Sequence, residues 1–214
     1  MIKSPVKRKP GRPKKNSDTV FLDTREELIK AGLAALTIKG YSSTGIDEIL
    51  KVVQVPKGSF YHYFDNKEAF GTELIEAYGQ YFAKKLSHWF YDTDTSPLNR
   101  LLAFIADAKK GMQKFEYQRG CLIGNLGQEM VALPEGFRKQ LIQVFNDWEM
   151  KTAHLLDEAK AAGEIAKTIN TAQMAYYFWV GWEGAVLRAK LEQSGEPLDL
   201  FTSGFIALIK PTPH

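Results

Sequence analysis

The stretch from Gly40 to Phe70 reads GYSSTGIDEILKVVQVPKGSFYHYFDNKEAF, and its punctuation decides the fold. Thr44 can start a short helix that carries Ile46, Ile49 and Leu50 on one face. Pro56 suits the first turn of a second compact helix running through Tyr63. Two short helices separated by about four residues predict a helix-turn-helix. On the second helix, Lys57 and Gly58 at the N-terminus, followed by Ser59, Tyr61 and His62, offer donors and a close backbone approach suited to a DNA major groove. Phe60 and Phe64 fall on its other face, where they are expected to hold a core.

N-terminal to this stretch, Asp23 or Thr24 can cap a helix with Glu26 and Glu27 in its first turn, where the helix dipole favours acids. Leu28, Ala31, Ala35 and Leu36 repeat at helical spacing until Gly40 stops the run. The formal charge of +3 conceals an asymmetry ahead of that helix. Residues 1–16 hold seven of the 28 Lys and Arg and none of the 25 acids, leaving 21 basic against 25 acidic side chains, a balance of −4, in the rest. Polyanion binding is therefore expected near the N-terminus, and a tail so rich in Pro, Gly and charge is expected to be disordered when free. Its K-R-K-P-G-R-P-K-K run has two readings: Arg12 placed in the minor groove of A·T-rich DNA by a G-R-P core, or a generic polybasic arm.

C-terminal to it, a periodic stretch from Lys67 to about Tyr91 couples the first three helices to the remainder, after a cap at Asp65. Ser96-Pro97 opens another helix. Phe137, Leu141, Val144, Phe145, Trp148, Thr152 and Leu155 form one face of a long helix ending at Gly163. Met174–Trp182 is apolar nearly all round, the pattern of a helix contacted from more than one side. The last helix spans about Pro197 to Ile209. The expectation is an all-α chain in three parts: a basic tail over 1–22, a helix-turn-helix domain over 23–65, and a larger helical domain over 66–214.

Several function classes fall away. The chain carries no phosphate-cradling glycine loop, no metal-ligand spacing among its four histidines and no nucleophile-elbow motif, so neither an enzyme nor a cofactor or metal protein is expected. Its single cysteine, Cys121, cannot form an intramolecular disulfide. No apolar run approaches the roughly 18 to 20 residues of a membrane span, and a cytoplasmic protein without membrane partners is expected.

The 40–70 stretch resembles the TetR family of transcriptional repressors: glycine-aromatic, threonine, isoleucine, a turn, then K-G-x-hydrophobic-Y-x-x-F and a lysine-glutamate pair. The resemblance implies a homodimer that binds a palindromic operator and releases it when a small molecule enters the C-terminal domain. It implies phosphate contacts at Thr44, Tyr61 and Lys67, leaving Lys57, Ser59 and His62 as base readers. Two departures stand out: Gln54 replaces a turn glycine, implying a wider turn, and Asp47 replaces a basic or neutral residue.

Within that family, VPKGSFYHYF, RGCLIGNLGQEM and WVGWEGAVLRAKLE resemble repressors that respond to acrylate and other electrophiles. The implied effectors are small α,β-unsaturated compounds, with Cys121 at a sensing position and Lys190 near it. From the residues themselves, Trp148, Tyr177 and Trp182 are candidate pocket walls, and Asn125, Glu129 and Glu183 are polar groups set in apolar segments. The alternatives are core and dimer packing for the aromatics, a buried inert thiol for Cys121 and a solvated helix-end lysine for Lys190. Arg119 and a helix start beside Cys121 are expected to lower its thiol pKa. The small residues Gly181, Gly184 and Ala185 suit close helix approach across a two-fold axis. A DNA-binding regulator without a ligand, its aromatic domain serving only to dimerise, is the rival reading.

Overall fold

A computed structural model describes residues 17–210, with side chains from residue 24 onward; residues 1–16, Arg12 among them, lie outside the described residues. Among them the regular elements are all helical: α1 Ser17–Lys39, α2 Ile46–Val53, α3 Lys57–Tyr63, α4 Lys67–Phe90, α5 Pro97–Lys114, α6 Leu122–Gln128, α7 Glu135–Ala161, α8 Thr171–Glu192 and α9 Glu196–Ile209. The first helix begins six residues before the expected cap at Asp23, so residues 17–22 of the expected tail are helical and Asp23 and Thr24 lie inside the helix.

Helices α1 to α3 close around Leu28, Leu36, Ile49, Leu50, Phe60 and Phe64, all buried. The turn between α2 and α3 is not widened by Gln54. That residue adopts φ 59° and ψ 42°, the left-handed conformation a glycine would supply, and the N–H groups of Gln54 and Val55 both donate to the Leu50 carbonyl. The tight turn survives at the cost of strain on a side chain.

Helix α4 is capped by Asn66, whose side chain accepts from the Ala69 N–H at 2.8 Å, one residue beyond the expected Asp65. Phe70 and Leu74 fill the space over Gly32 of α1, and an ion pair joins Arg25 to Glu73, so α4 carries α1 with it. Beyond that, α4, α5, α7 and α8 pack around one aromatic cluster. Phe82 and Trp148 lie 4.4 Å apart by ring centroid, Trp148 and Trp179 4.9 Å. The Trp179 indole N–H is satisfied by the buried Thr152 hydroxyl at 3.0 Å.

The apolar run on α8 divides between two surfaces. Phe178, Trp179 and Trp182 point into the core, while Tyr176, Val180, Leu187 and Leu191 are exposed on the opposite side, with Leu200 and Leu208 of α9 also exposed. Of the three small residues expected at a helix crossing, Gly181 is occupied internally by the Phe201 ring and Ala185 is buried. Only Gly184 faces open space.

Candidate nucleic-acid interface and pocket

Helix α3 presents Lys57, Gly58, Tyr61 and His62 on its exposed side, with Ser59 half-buried and Phe60 fully buried behind them. The core holds this orientation, because Phe60 packs on Phe64 and Phe70 at centroid distances of 5.2 Å each. A Cβ at Gly58 would meet nothing within 4 Å, so no neighbour within the chain requires glycine there. Asp47 of α2 lies 3.4 Å from the Lys57 ammonium and supplies a counter-charge.

Two expected phosphate contacts are turned inward. Thr44 is 3% exposed, and its hydroxyl donates to the Gly40 carbonyl at 2.6 Å, closing the turn before α2. Lys67 donates to the Tyr41 carbonyl at 2.9 Å and lies over the Tyr41 ring, where burial lowers its pKa. Both therefore hold the α1–α2 connection in this conformation. Tyr61 alone of that set is exposed.

A solvent-open pocket of about 470 Å³ lies between α1, α4, α5 and α8. Leu33, Phe82, Met112, Trp182 and Val186 supply apolar wall, and Tyr78, Cys121 and Glu183 line it too. Three cations also line it: Lys30, Lys85 and Arg119. Lys85 is paired with Asp107 at 2.8 Å, and the Arg119 guanidinium stacks 3.9 Å from the Phe115 ring centroid.

Cys121 is the N-cap of α6, its Sγ accepting from the Gly124 N–H at 3.5 Å. The thiol pKa is nevertheless raised well above its usual value, first by burial and then by the Glu183 charge, which reverses the expected lowering. Arg119 does not reverse this, its guanidinium being stacked on Phe115. Burial also lifts the Glu183 carboxyl to about 7, partly offset by a hydrogen bond with Cys121. Its Oε1 is buried with no hydrogen-bond partner among the described residues. The Tyr78 hydroxyl lies against the Cys121 thiol and the Leu122 backbone, and its pKa is raised well above normal by burial. In the sequence Tyr78 falls within the periodic stretch from Lys67 to about Tyr91, and nothing in that spacing singles it out. Its i, i+4 relation to Phe82 on α4 was the available sign that the two share a face.

The other expected pocket residues are distributed differently. Trp182 and Glu183 are at the pocket, whereas Trp148 is fully buried behind its wall, against Tyr78 and Phe82. Tyr177 is 49% exposed on the outside of α8 and stacks toward Phe205. Asn125, Glu129 and Lys190 point to the end of α1: Asn125 donates to the Leu36 and Thr37 carbonyls, Lys190 to the Ile38 carbonyl, and Glu129 accepts from the Tyr41 and Ser42 N–H groups.

Family models match both halves of this architecture. Residues 28–74 match "Bacterial regulatory proteins, tetR family" and residues 97–205 match "Tetracyclin repressor-like, C-terminal domain". The chain belongs to the TetR family. It is 52% identical to the transcriptional regulator AcuR of Cereibacter sphaeroides over 94% of this chain and 91% of the relative. The HTH-type transcriptional repressor NemR of Escherichia coli is a more distant homologue, 29% identical over 83% of this chain and 89% of its own length. A crystal structure described as regulatory protein TetR from Rhodobacter sphaeroides superposes with a TM-score of 0.86 at 53% identity, covering 87% of this chain and 98% of that one. This protein is thus a TetR-type transcriptional repressor, with a DNA-binding helix-turn-helix and a C-terminal ligand-binding domain. No helix among the described residues is long and apolar enough to cross a membrane.

Proposed function

We propose that this TetR-type repressor binds a palindromic operator as a homodimer and releases it when a small α,β-unsaturated carboxylate of the acrylate type enters the pocket. The observation that carries this reading is the pocket itself, with Cys121, Glu183 and Tyr78 on its lining and Lys30, Lys85 and Arg119 among its cations. Apolar walls with a few convergent polar groups are what small-molecule sites look like, and Arg119 favours an organic anion, Lys85 and Lys30 being paired with Asp107 and Glu26. Because α1 forms one wall, filling the pocket acts directly on the helix that leads into the helix-turn-helix.

Binding is reversible in this proposal. Michael addition would require the thiolate, which burial and Glu183 both disfavour at Cys121. On DNA, Lys57, Ser59 and His62 read bases, Tyr61 holds a phosphate, and the unencumbered Gly58 lets the duplex approach. The dimer is supported by the exposed row Tyr176, Val180, Leu187 and Leu191 with Gly184 within it, since contiguous apolar surface on a soluble helix marks an interface. A cytoplasmic location fits such a regulator.

The test is operator binding with and without acrylate, followed by intact-mass measurement. Release without a mass increase is expected, together with sedimentation as a dimer that Leu191→Glu converts to monomer. Operator binding indifferent to acrylate and to methacrylate would sink the effector assignment. Release accompanied by a stoichiometric mass gain, absent in Cys121→Ser, would replace reversible binding with covalent sensing.

A further inference from the structure

The last carbonyls of an α-helix have no partner within the helix and must find one elsewhere. At the end of α1 the Leu36 carbonyl accepts from the Gly40 N–H at 3.1 Å, and the larger domain supplies further partners. The Leu36 carbonyl accepts from Asn125 Nδ2 at 3.1 Å, and the Thr37 carbonyl accepts from the same amide and from the Gly120 N–H, both at 3.0 Å. The Ile38 carbonyl accepts from Lys190 Nζ at 2.5 Å, which also puts a positive charge at the negative end of the helix dipole. Just beyond, the Glu129 carboxylate accepts from the Tyr41 and Ser42 N–H groups at 3.0 and 2.8 Å. Gly40, at φ +80°, permits that approach, since a Cβ there would collide with Glu129 Oε1.

Those groups are mechanically continuous with the pocket. Gly120 and Cys121 line it, and the Asn125 N–H donates to the Cys121 carbonyl at 3.0 Å, one turn along α6. Glu129 caps the far end of the same seven-residue helix. Glu183 packs against Gly124, leaving no room for a Cβ, and Lys190 lies two turns further along α8. A group that pushes on Cys121 or Glu183 must therefore move α6, and α6 holds both the end of α1 and the turn into α2.

We propose that Asn125, Glu129 and Lys190 are positioning residues for the DNA-binding domain, and that an effector at Cys121 and Glu183 weakens operator binding by drawing α6 away from the end of α1. The inference rests on the effector reading above for its second half only. Linkage makes it testable from the DNA side: if α6 locks the operator-binding orientation, operator must lock α6.

The experiment uses the full-length protein and a duplex it selects from a random pool. Hydrogen exchange is followed across residues 121–129, remote in sequence from α3, with and without that duplex. Operator is expected to slow exchange there in the wild type, and the slowing is expected to vanish in Asn125→Asp, whose carboxylate would face two carbonyls. Glu129→Gln and Lys190→Met carry the same test if Asn125→Asp does not fold. Acrylate is then titrated with and without duplex. Its affinity ratio, expected within the roughly 5–150-fold span of allosteric coupling, should fall at least fivefold in the variants. A merely structural role would lower melting temperature and leave that ratio intact. Exchange in α6 indifferent to operator in the wild type would overturn the inference, as would folded variants that retain the wild-type exchange response. A wild type whose α6 responds to operator but not to acrylate would overturn the effector reading and leave the positioning roles standing.

Discussion

The carboxylate of Asp47 stands 3.4 Å from the ammonium group of Lys57, so the first residue of α3 carries its own counter-charge. Both side chains are largely exposed, and such a pair adds little to stability. Its consequence falls on binding instead. In the proposed DNA complex a phosphate or a base edge would have to compete with Asp47 for Lys57, and Asp47 itself would repel phosphate.

Asp47→Asn is therefore expected to tighten binding to all duplexes and to steepen the salt dependence. Lys57→Ala is expected to weaken operator binding by about 1–3 kcal/mol while leaving the fold intact. Salt-titrated fluorescence anisotropy with specific and random duplexes checks both. Asp47→Asn binding no tighter than wild type at any salt would show that the pair does not restrain Lys57.

Removing residues 1–16 takes away seven positive charges. Affinity is expected to fall for every duplex, and the slope of log K against log salt to flatten by up to about 0.9 for every phosphate that the arm neutralises. If Arg12 reads the minor groove, the drop in affinity is larger for A·T-flanked operators than for G·C-flanked ones. An unchanged slope would show that the arm does not touch DNA.

Glu183 makes stability depend on pH. Its carboxyl titrates near 7 in the folded protein against 4.5 for an ordinary glutamate, so the native state holds the proton more tightly than the unfolded one. The associated stability is fully present below pH 4.5, is lost as pH rises, and is gone above about 7, a change on the order of 3 kcal/mol. Glu183→Gln, always neutral, is expected to gain on the wild type between pH 5 and 8. Urea unfolding at the two pH values measures this. A stability difference between variant and wild type that is the same at both would place the charged carboxylate in a solvated site.

Gln54 bears strain that a glycine would not. Gln54→Gly is expected to stabilise the protein by about 1 kcal/mol, the relief of a left-handed side chain outweighing the added freedom of the unfolded chain. Thermal unfolding reads the effect, and a destabilised variant would mean that the Gln54 side chain makes a compensating contact.

The helices, the helix-turn-helix and the buried face of Phe60 and Phe64 were legible in the amino-acid sequence because they depend on neighbours three and four residues away, which spacing displays. The charge asymmetry of residues 1–16 needs no fold at all to be read. What the sequence determined at Asn125, Glu129 and Lys190 was only that polar groups in apolar segments need partners. Tertiary structure decided which: backbone groups of residues 36–42, separated from these side chains by about 90 to 150 positions along the chain. The end of α1 demanded donors, and α6 and α8 were the elements packed against it. Cys121 follows the same logic. A helix start and Arg119 were visible beside it in sequence and both favour a thiolate, but the size of the opposing effect depends on how deeply the chain buries the sulfur. Packing placed the thiol out of water against Glu183 and left Arg119 stacked on Phe115, and desolvation of a charge outweighs a helix end that contributes one N–H at 3.5 Å.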